Sequence, residues 1–197
     1  MDANFPIVVL LSGNGSNLQA IIDAIAQHQY AINIKAVISD RADAFGLQRA
    51  QRTGLATTTL SAKSFANRQD YDRALQKTIE AYQPKLVVLA GFMRILSADF
   101  VTHFAGRLIN IHPSLLPKHK GLNTHQRAID AGDTMHGCSI HFVTQAVDGG
   151  KVIAQLECPI SPDDDAQSLQ QKVHRLEHQL YPQVIQQFAT GQIGPYD

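Results

Sequence analysis

Apolar runs of strand length alternate along this chain with stretches in which apolar residues recur at helical spacing, and that alternation limits the fold more than any other feature. Ile7 to Leu11 is an unbroken apolar run, followed by Leu18, Ile21, Ile22 and Ile25 on one helical face, so strand, turn and helix follow in order. The unit recurs. Ile32 to Ile38 reads as a strand before a helix near Phe45 to Arg52, and Ala56 to Leu60 as a short strand before a helix over Arg68 to Tyr82, which Pro84 ends. Leu86 to Ala90 has the continuous apolar character of a strand buried on both faces. A short helix near Ser97 to His103 and a strand over Arg107 to Ile111 come next. Repeated βα units of this kind imply a parallel sheet covered by helices, an α/β architecture.

After His112 the texture changes. Pro113, Pro117 and Gly121 break regular structure and predict a loop running over the surface. Ser139 to Val143 and Val152 to Cys158 read as two later strands, joined through Asp148-Gly149-Gly150 by a turn or longer loop. A helix from about Ala166 to Phe188 closes the chain, with Asp163, Asp164 and Asp165 placed favourably for its dipole. There is no internal repeat and no visible linker. A length of 197 residues with 44% hydrophobic content is enough for one core, so a single domain over residues 1–197 is expected.

Lys plus Arg and Asp plus Glu are equal at 17 each, which leaves no basic excess to hold a nucleic-acid backbone or an anionic membrane. Small phosphorylated ligands stay open, because one phosphate needs only a few N–H donors. Cys138 and Cys158 are the two cysteines, without CxxC spacing, and the chain shows neither a leader pattern nor an apolar run near ~18 residues. A cytoplasmic protein is expected.

Two constellations carry chemistry. At the first βα junction, Ser12-Gly13-Asn14-Gly15-Ser16-Asn17 sits between an apolar strand and an amphipathic helix. Glycines there permit close approach, and the helix N-terminus offers free N–H groups to an anion. The dinucleotide fingerprint would need glycine where Leu18 stands, and the P-loop ending is absent. A single phosphate fits; a ligand-free glycine turn is the alternative. Asn110 and His112 form the second constellation. They flank Ile111 at the end of a strand, so both point to one side. An amide donor beside an imidazole can stabilise an oxyanion, and the ring can pass a proton to a departing nitrogen. Holding the ring charged at pH 7 requires an anion, for which Asp148 is the candidate, although Asp-Gly is also an ordinary turn dipeptide.

Gly13-Asn14-Gly15-Ser16-Asn17, the run from Ala90 to Leu96, the run Asn110-Ile111-His112-Pro113-Ser114-Leu115-Leu116-Pro117 and Asp148-Gly149-Gly150 together resemble the folate-dependent formyltransferases, in their phosphoribosylglycinamide branch. The likeness runs over essentially the whole chain. It implies a Rossmann-like three-layer sandwich: a mostly parallel sheet with helices on both faces and an antiparallel C-terminal strand. The N-terminal half, about 1–100, would bind phosphate; the half over about 101–197 would hold folate and the catalytic groups. The implied reaction is attack by the amine of glycinamide ribonucleotide on the formyl carbon of 10-formyltetrahydrofolate, in purine biosynthesis. Asn110 and protonated His112 would stabilise the tetrahedral oxyanion, with Asp148 keeping the ring charged. Gly15, Ser16 and Asn17 match the phosphate site, and Glu177 a ribose or glycinamide contact. Arg68, Met93, Arg94, Ile95, Leu96, Asn110, Thr144, Val147 and Asp148 match the folate pocket. No metal is implied, the partners are the two small molecules, and the assembly would be a monomer or homodimer.

Three departures from the family pattern stand out: His119-Lys120 in place of an aromatic residue and proline, Asn123 in place of histidine, and a short tail ending at Asp197, which is expected to be harmless to the chemistry. A formyl-folate hydrolase, a methionyl-tRNA formyltransferase and a non-catalytic binding module compete with this reading. The phosphate turn and the lack of a regulatory domain count against the first, and chain length and neutral charge against the second. His174-Arg175-Leu176-Glu177-His178 fits an inverted zinc-protease motif but has no evident third ligand. His119, His125 and His136 read as loop or packing residues; His141, on a strand leading toward Asp148, could line the site.

Overall fold

The computed structural model describes residues 5–194; the tail ending at Asp197 therefore lies outside the described residues. Seven strands form one sheet in the order β3-β2-β1-β4-β5-β6-β7. They span Phe5–Leu11 (β1), Ile32–Ser39 (β2), Thr57–Thr59 (β3), Leu86–Leu89 (β4), Leu108–His112 (β5), Met135–Phe142 (β6) and Val152–Pro159 (β7). Strands β1 to β5 pair in parallel, β6 runs antiparallel to β5, and β7 antiparallel to β6. Helices α1 (Ser16–His28), α2 (Phe45–Arg52), α3 (Arg68–Glu80), α4 (Ala98–His103), α5 (Thr124–Asp130) and α6 (Ala166–Ala189) complete the layers. The expected α/β architecture is present, including the turn against the parallel direction at the C-terminal side.

The continuous apolar strands are explained by burial on both faces. Along β1, Ile7, Val9 and Leu11 enter one core cluster while Val8 and Leu10 enter the other, as a period of two demands. The first cluster is closed by Leu18 and Ile21 of α1 and by Val173, Tyr181, Val184 and Ile185 of α6. The second is closed by Tyr71, Leu75 and Ile79 of α3 and Phe100 of α4. Each fully buried Leu or Ile contributes about 1.5–3 kcal/mol. Tyr181 also ties α6 to the sheet, its hydroxyl lying 2.9 Å from the Leu89 carbonyl and 3.3 Å from that of Ile109. The acidic run before α6 caps it: the Asp165 side chain accepts from Ser168 N, and the Ser168 side chain bonds back to the Asp165 amide.

Two elements differ from expectation. The stretch read as a plain loop after His112 contains α5, a helix of seven residues that buries Thr124, His125 and Ala128. So short a helix shows no periodicity distinguishable from polar loop sequence. Strand β6 begins at Met135 rather than Ser139, because residues 135–138 find antiparallel partners in Glu157, Cys158, Pro159 and Leu156 of β7.

Gly15 has φ +74°, and a Cβ there would stand 2.5 Å from the Cα of Gly46. The turn thus needs glycine both for its backbone and for the contact between the starts of α1 and α2. Gly15→Ala is expected to destabilise the protein by roughly 2–4 kcal/mol, read as a lower urea midpoint with unchanged slope.

Candidate active site

The turn after β1 is braced from outside. Arg49 of α2 donates through Nε to the Asn14 carbonyl at 2.9 Å and through Nη2 to Asn14 Oδ1 at 3.1 Å. Ser12 Oγ accepts from Met93 N at 2.8 Å, joining the turn to the segment after β4. No side chain caps α1, whose N-cap is Gly15, so its first-turn N–H groups are directed at whatever occupies the turn. Asn17 Nδ2 donates to Glu177 Oε2 at 3.0 Å, bringing together two residues that sequence could link only by resemblance. The other amide atom, Asn17 Oδ1, is buried without a partner.

The second constellation sits at the end of β5. His112 Nδ1 lies 3.4 Å from Asp148 Oδ2, and its Nε2 lies 3.0 Å from the His119 carbonyl oxygen. A carbonyl only accepts, so Nε2 carries a hydrogen and Nδ1 is the nitrogen that exchanges protons. Asn110 Nδ2 is 3.2 Å from His141 Nε2, which is also 3.5 Å from Asp148 Oδ1. His141 Nδ1 donates to the Phe142 carbonyl at 2.9 Å. In a neutral ring His141 Nε2 therefore accepts from Asn110, fixing the amide and leaving its second N–H free; in a charged ring it donates to Asp148.

Asp148 adopts a left-handed backbone, φ +47°, just before Gly149. Its Oδ2 accepts from Gly121 N at 2.9 Å. Burial works to raise its pKa, but the His141 edge, the Gly121 N–H and the charge of His112 outweigh that and hold it below the ordinary carboxylate value. His112 responds oppositely. Burial, with the ring side chain 7% exposed, lowers its pKa more than the His119 carbonyl and Asp148 raise it. Burial thus works against a standing imidazolium, while the His119 carbonyl and Asp148 work for it.

These groups form one wall of a cleft of about 690 Å³ that also takes in Met93, Arg94, Ile95, Leu96, Thr144, Val147 and Leu122. Its size suits a drug-sized ligand. Met93, Ile95 and Val147 are 70%, 66% and 56% exposed, apolar surface that a ligand would cover. Arg94 packs over the Tyr71 ring at 4.8 Å and faces Asp40 at 3.8 Å. Arg68 lies outside the lining of the cleft and holds its wall by donating to the Leu96 carbonyl. Gly15, Ser16, Asn17 and Glu177 lie outside it too, joined to it through Ser12 and Met93. Sequence reasoning missed Arg49, the His119 carbonyl and the Gly121 amide, since backbone groups and a guanidinium 35 residues away leave no local pattern.

His125, which also lines the cleft, forms a close pair with His136. His125 Nδ1 and His136 Nε2 are 3.2 Å apart, and burial lowers both rings to about 4. His174 and His178 stack on one face of α6, but Glu177 is turned to Asn17. Among the described residues no group of three His, Cys, Asp or Glu side chains is placed to hold a metal.

Comparison with known proteins places this geometry. The model of the formyl transferase family matches residues 5–185. The chain belongs to that family. It is 54% identical over 191 residues to the phosphoribosylglycinamide formyltransferase of Escherichia coli strain K12, covering 97% of this chain and 90% of the relative. It is 44% identical to the enzyme of the same name from Haemophilus influenzae, covering 95% and 88%. The structure of phosphoribosylglycinamide formyltransferase from Coxiella burnetii, in complex with CHES, superimposes with a TM-score of 0.93 at 55% identity, covering 96% of this chain and 89% of that one. The formyl transferase fold is thus shared over almost the whole described chain.

Within this family fold, Glu177 is 4% exposed, and burial pushes its carboxyl from 4.5 to about 7, with the Asn17 bond acting the other way. Such an acid binds its proton more tightly in the folded state. Its stabilising contribution is complete below about pH 4.5 and is lost as the pH rises through about 7, a change of roughly 3 kcal/mol. Glu177→Gln is expected to be more stable than the parent protein at pH 8.5 by about 1–3 kcal/mol, with the gap closing toward pH 5. Urea denaturation at both pH values checks this.

Proposed function

We propose that this chain transfers the formyl group of 10-formyltetrahydrofolate to the amine of glycinamide ribonucleotide, in purine biosynthesis and in the cytoplasm. The observation that carries the reading is the meeting of Asn110, His112 and Asp148, from two separate segments, on the wall of a ligand-sized cleft. Family membership and the named relatives support it.

The residues divide the work. The turn from Ser12 to Asn17 receives the phosphate of the acceptor, and Glu177 contacts its ribose or glycinamide. Main-chain groups and apolar walls from Met93 to Leu96 and Thr144 to Asp148 hold the folate. The acceptor amine attacks the formyl carbon, the C=O electron pair moves to oxygen, and the oxyanion meets the free N–H of Asn110. The amine proton passes to His112 Nδ1, which becomes cationic at the moment Asp148 and the oxyanion both favour it. That proton then goes to the folate nitrogen as the C–N bond breaks and C=O re-forms. At 3.4 Å, the His112–Asp148 separation is longer than a tight charge-assisted hydrogen bond of ~2.7–2.9 Å, leaving Nδ1 able to turn toward substrate. The chain would act as one domain, as a monomer or homodimer, without metal.

His112→Ala and Asp148→Asn are each expected to lower kcat on the order of 100-fold or more, with folding intact. Steady-state assays with glycinamide ribonucleotide and formyl-folate test this, and near-normal turnover in either variant removes the mechanism. Ser16→Asp should raise KM for the ribonucleotide far more than for the folate, because it sets a carboxylate against a phosphate. Equal changes would mark the turn as purely structural.

A further inference from the structure

Asp133 stands between α5 and β6, away from the cleft lining. Yet it grips the loop on which His112 leans. Its Oδ1 accepts from Lys118 Nζ at 2.8 Å, and its Oδ2 faces His119 Nε2 at 2.7 Å. The Lys118 side chain is 63% exposed while that of His119 is 12% exposed, so the histidine arm is the one shielded from solvent and salt.

The backbone around residue 119 explains why this grip matters. Upstream, the Ser114 hydroxyl donates to the Lys118 carbonyl at 2.7 Å, and Ser139 Oγ donates to the Ser114 carbonyl at 2.6 Å. Downstream, Arg127 donates to the Lys120 carbonyl at 2.6 Å, and Gly121 N to Asp148. Between these pins His119 has φ +52°, a left-handed conformation that a non-glycine residue holds only when its surroundings enforce it. Its carbonyl is the group that accepts from His112 Nε2. The groups facing the His119 ring are Asp133, Lys118 through that carboxylate, and the His136 ring at 6.2 Å between centroids.

We infer that Asp133 is a positioning residue for His112: by holding the His119 side chain it fixes the carbonyl that takes the Nε2 hydrogen, and so keeps Nδ1 as the proton-exchanging nitrogen. This rests on the role given to His112 above. Without the clamp, the His119 carbonyl is free to swing away. His112 then has no fixed acceptor at Nε2 and populates both neutral tautomers. Because that carbonyl bond also favours the charged ring, its loss makes His112 harder to protonate.

The test compares Asp133→Ala, His119→Ala and His119→Gln with the parent protein. Three quantities are read: kcat and KM for both substrates, the pH profile of kcat/KM, and the nitrogen NMR shifts of the His112 ring in the unliganded protein. Asp133→Ala and His119→Ala should lower kcat roughly 10- to 100-fold with KM values changed less than about twofold. The acid limb should move to lower pH, and the His112 signals should pass from the Nε2–H tautomer to a mixture. His119→Gln keeps a donor for Asp133 and should recover most of the turnover. Parent-like turnover together with parent-like His112 signals in both alanine variants overturns the inference. So does lost turnover with unchanged His112 signals, which marks a merely structural role. Should Asp133→Ala not fold, equal behaviour of His119→Ala and His119→Gln overturns it. The NMR reading is independent of activity: a tautomer change with normal turnover upholds the positioning and refutes the role proposed for His112.

Discussion

A carboxylate placed between two imidazoles and a backbone amide is the interaction on which the site depends. Asp148 faces His112 through one oxygen and His141 through the other, with Gly121 N–H on the first. Through His141 it is linked to Asn110, so the amide and the imidazole at the end of β5 share one anion. Its turn is shaped to allow this. Gly150 is packed so that a Cβ would stand 1.7 Å from the Phe142 carbonyl oxygen, leaving no room for a side chain beside the bend.

The electrostatics of that arrangement are balanced rather than one-sided. Burial resists charge on His112 while the His119 carbonyl and Asp148 invite it, so a further charge at the ring adds to one side of that balance. On the proposed mechanism a tetrahedral oxyanion would supply one for the lifetime of the reaction, which suits a group that first accepts a proton and then gives it up. At the turn after β1, Arg49 braces Asn14 through its carbonyl and its side-chain amide oxygen, and no side chain caps α1.

Support for the site comes from beyond its own motifs. Ser139 and Gln155 of β6 and β7 hold the segment after His112, with Gln155 Nε2 donating to the Leu116 carbonyl at 3.0 Å and to Ser139 Oγ at 2.7 Å. Asp133 and Arg127 hold the next stretch. His119, one residue of the departure from family pattern noted in sequence, proves to be held by Asp133. The loop is therefore a fixed support for His112.

Local pattern determined much of this protein: strand and helix identities, because apolar periodicity reports which faces are buried, and the pairing of Asn110 with His112, because strand side chains alternate. Glu177 was legible by resemblance alone, and Asp148 was a candidate from its glycine-flanked turn that only the resemblance singled out from a common turn aspartate. The tertiary structure decided the rest. Sheet order sets β1 beside β4 rather than β3, and α5 is helical because its Thr124, His125 and Ala128 find burial. The desolvation of His112 was illegible for the same reason: it depends on every neighbour that excludes water, and those neighbours are brought together by the fold rather than by adjacency in the chain.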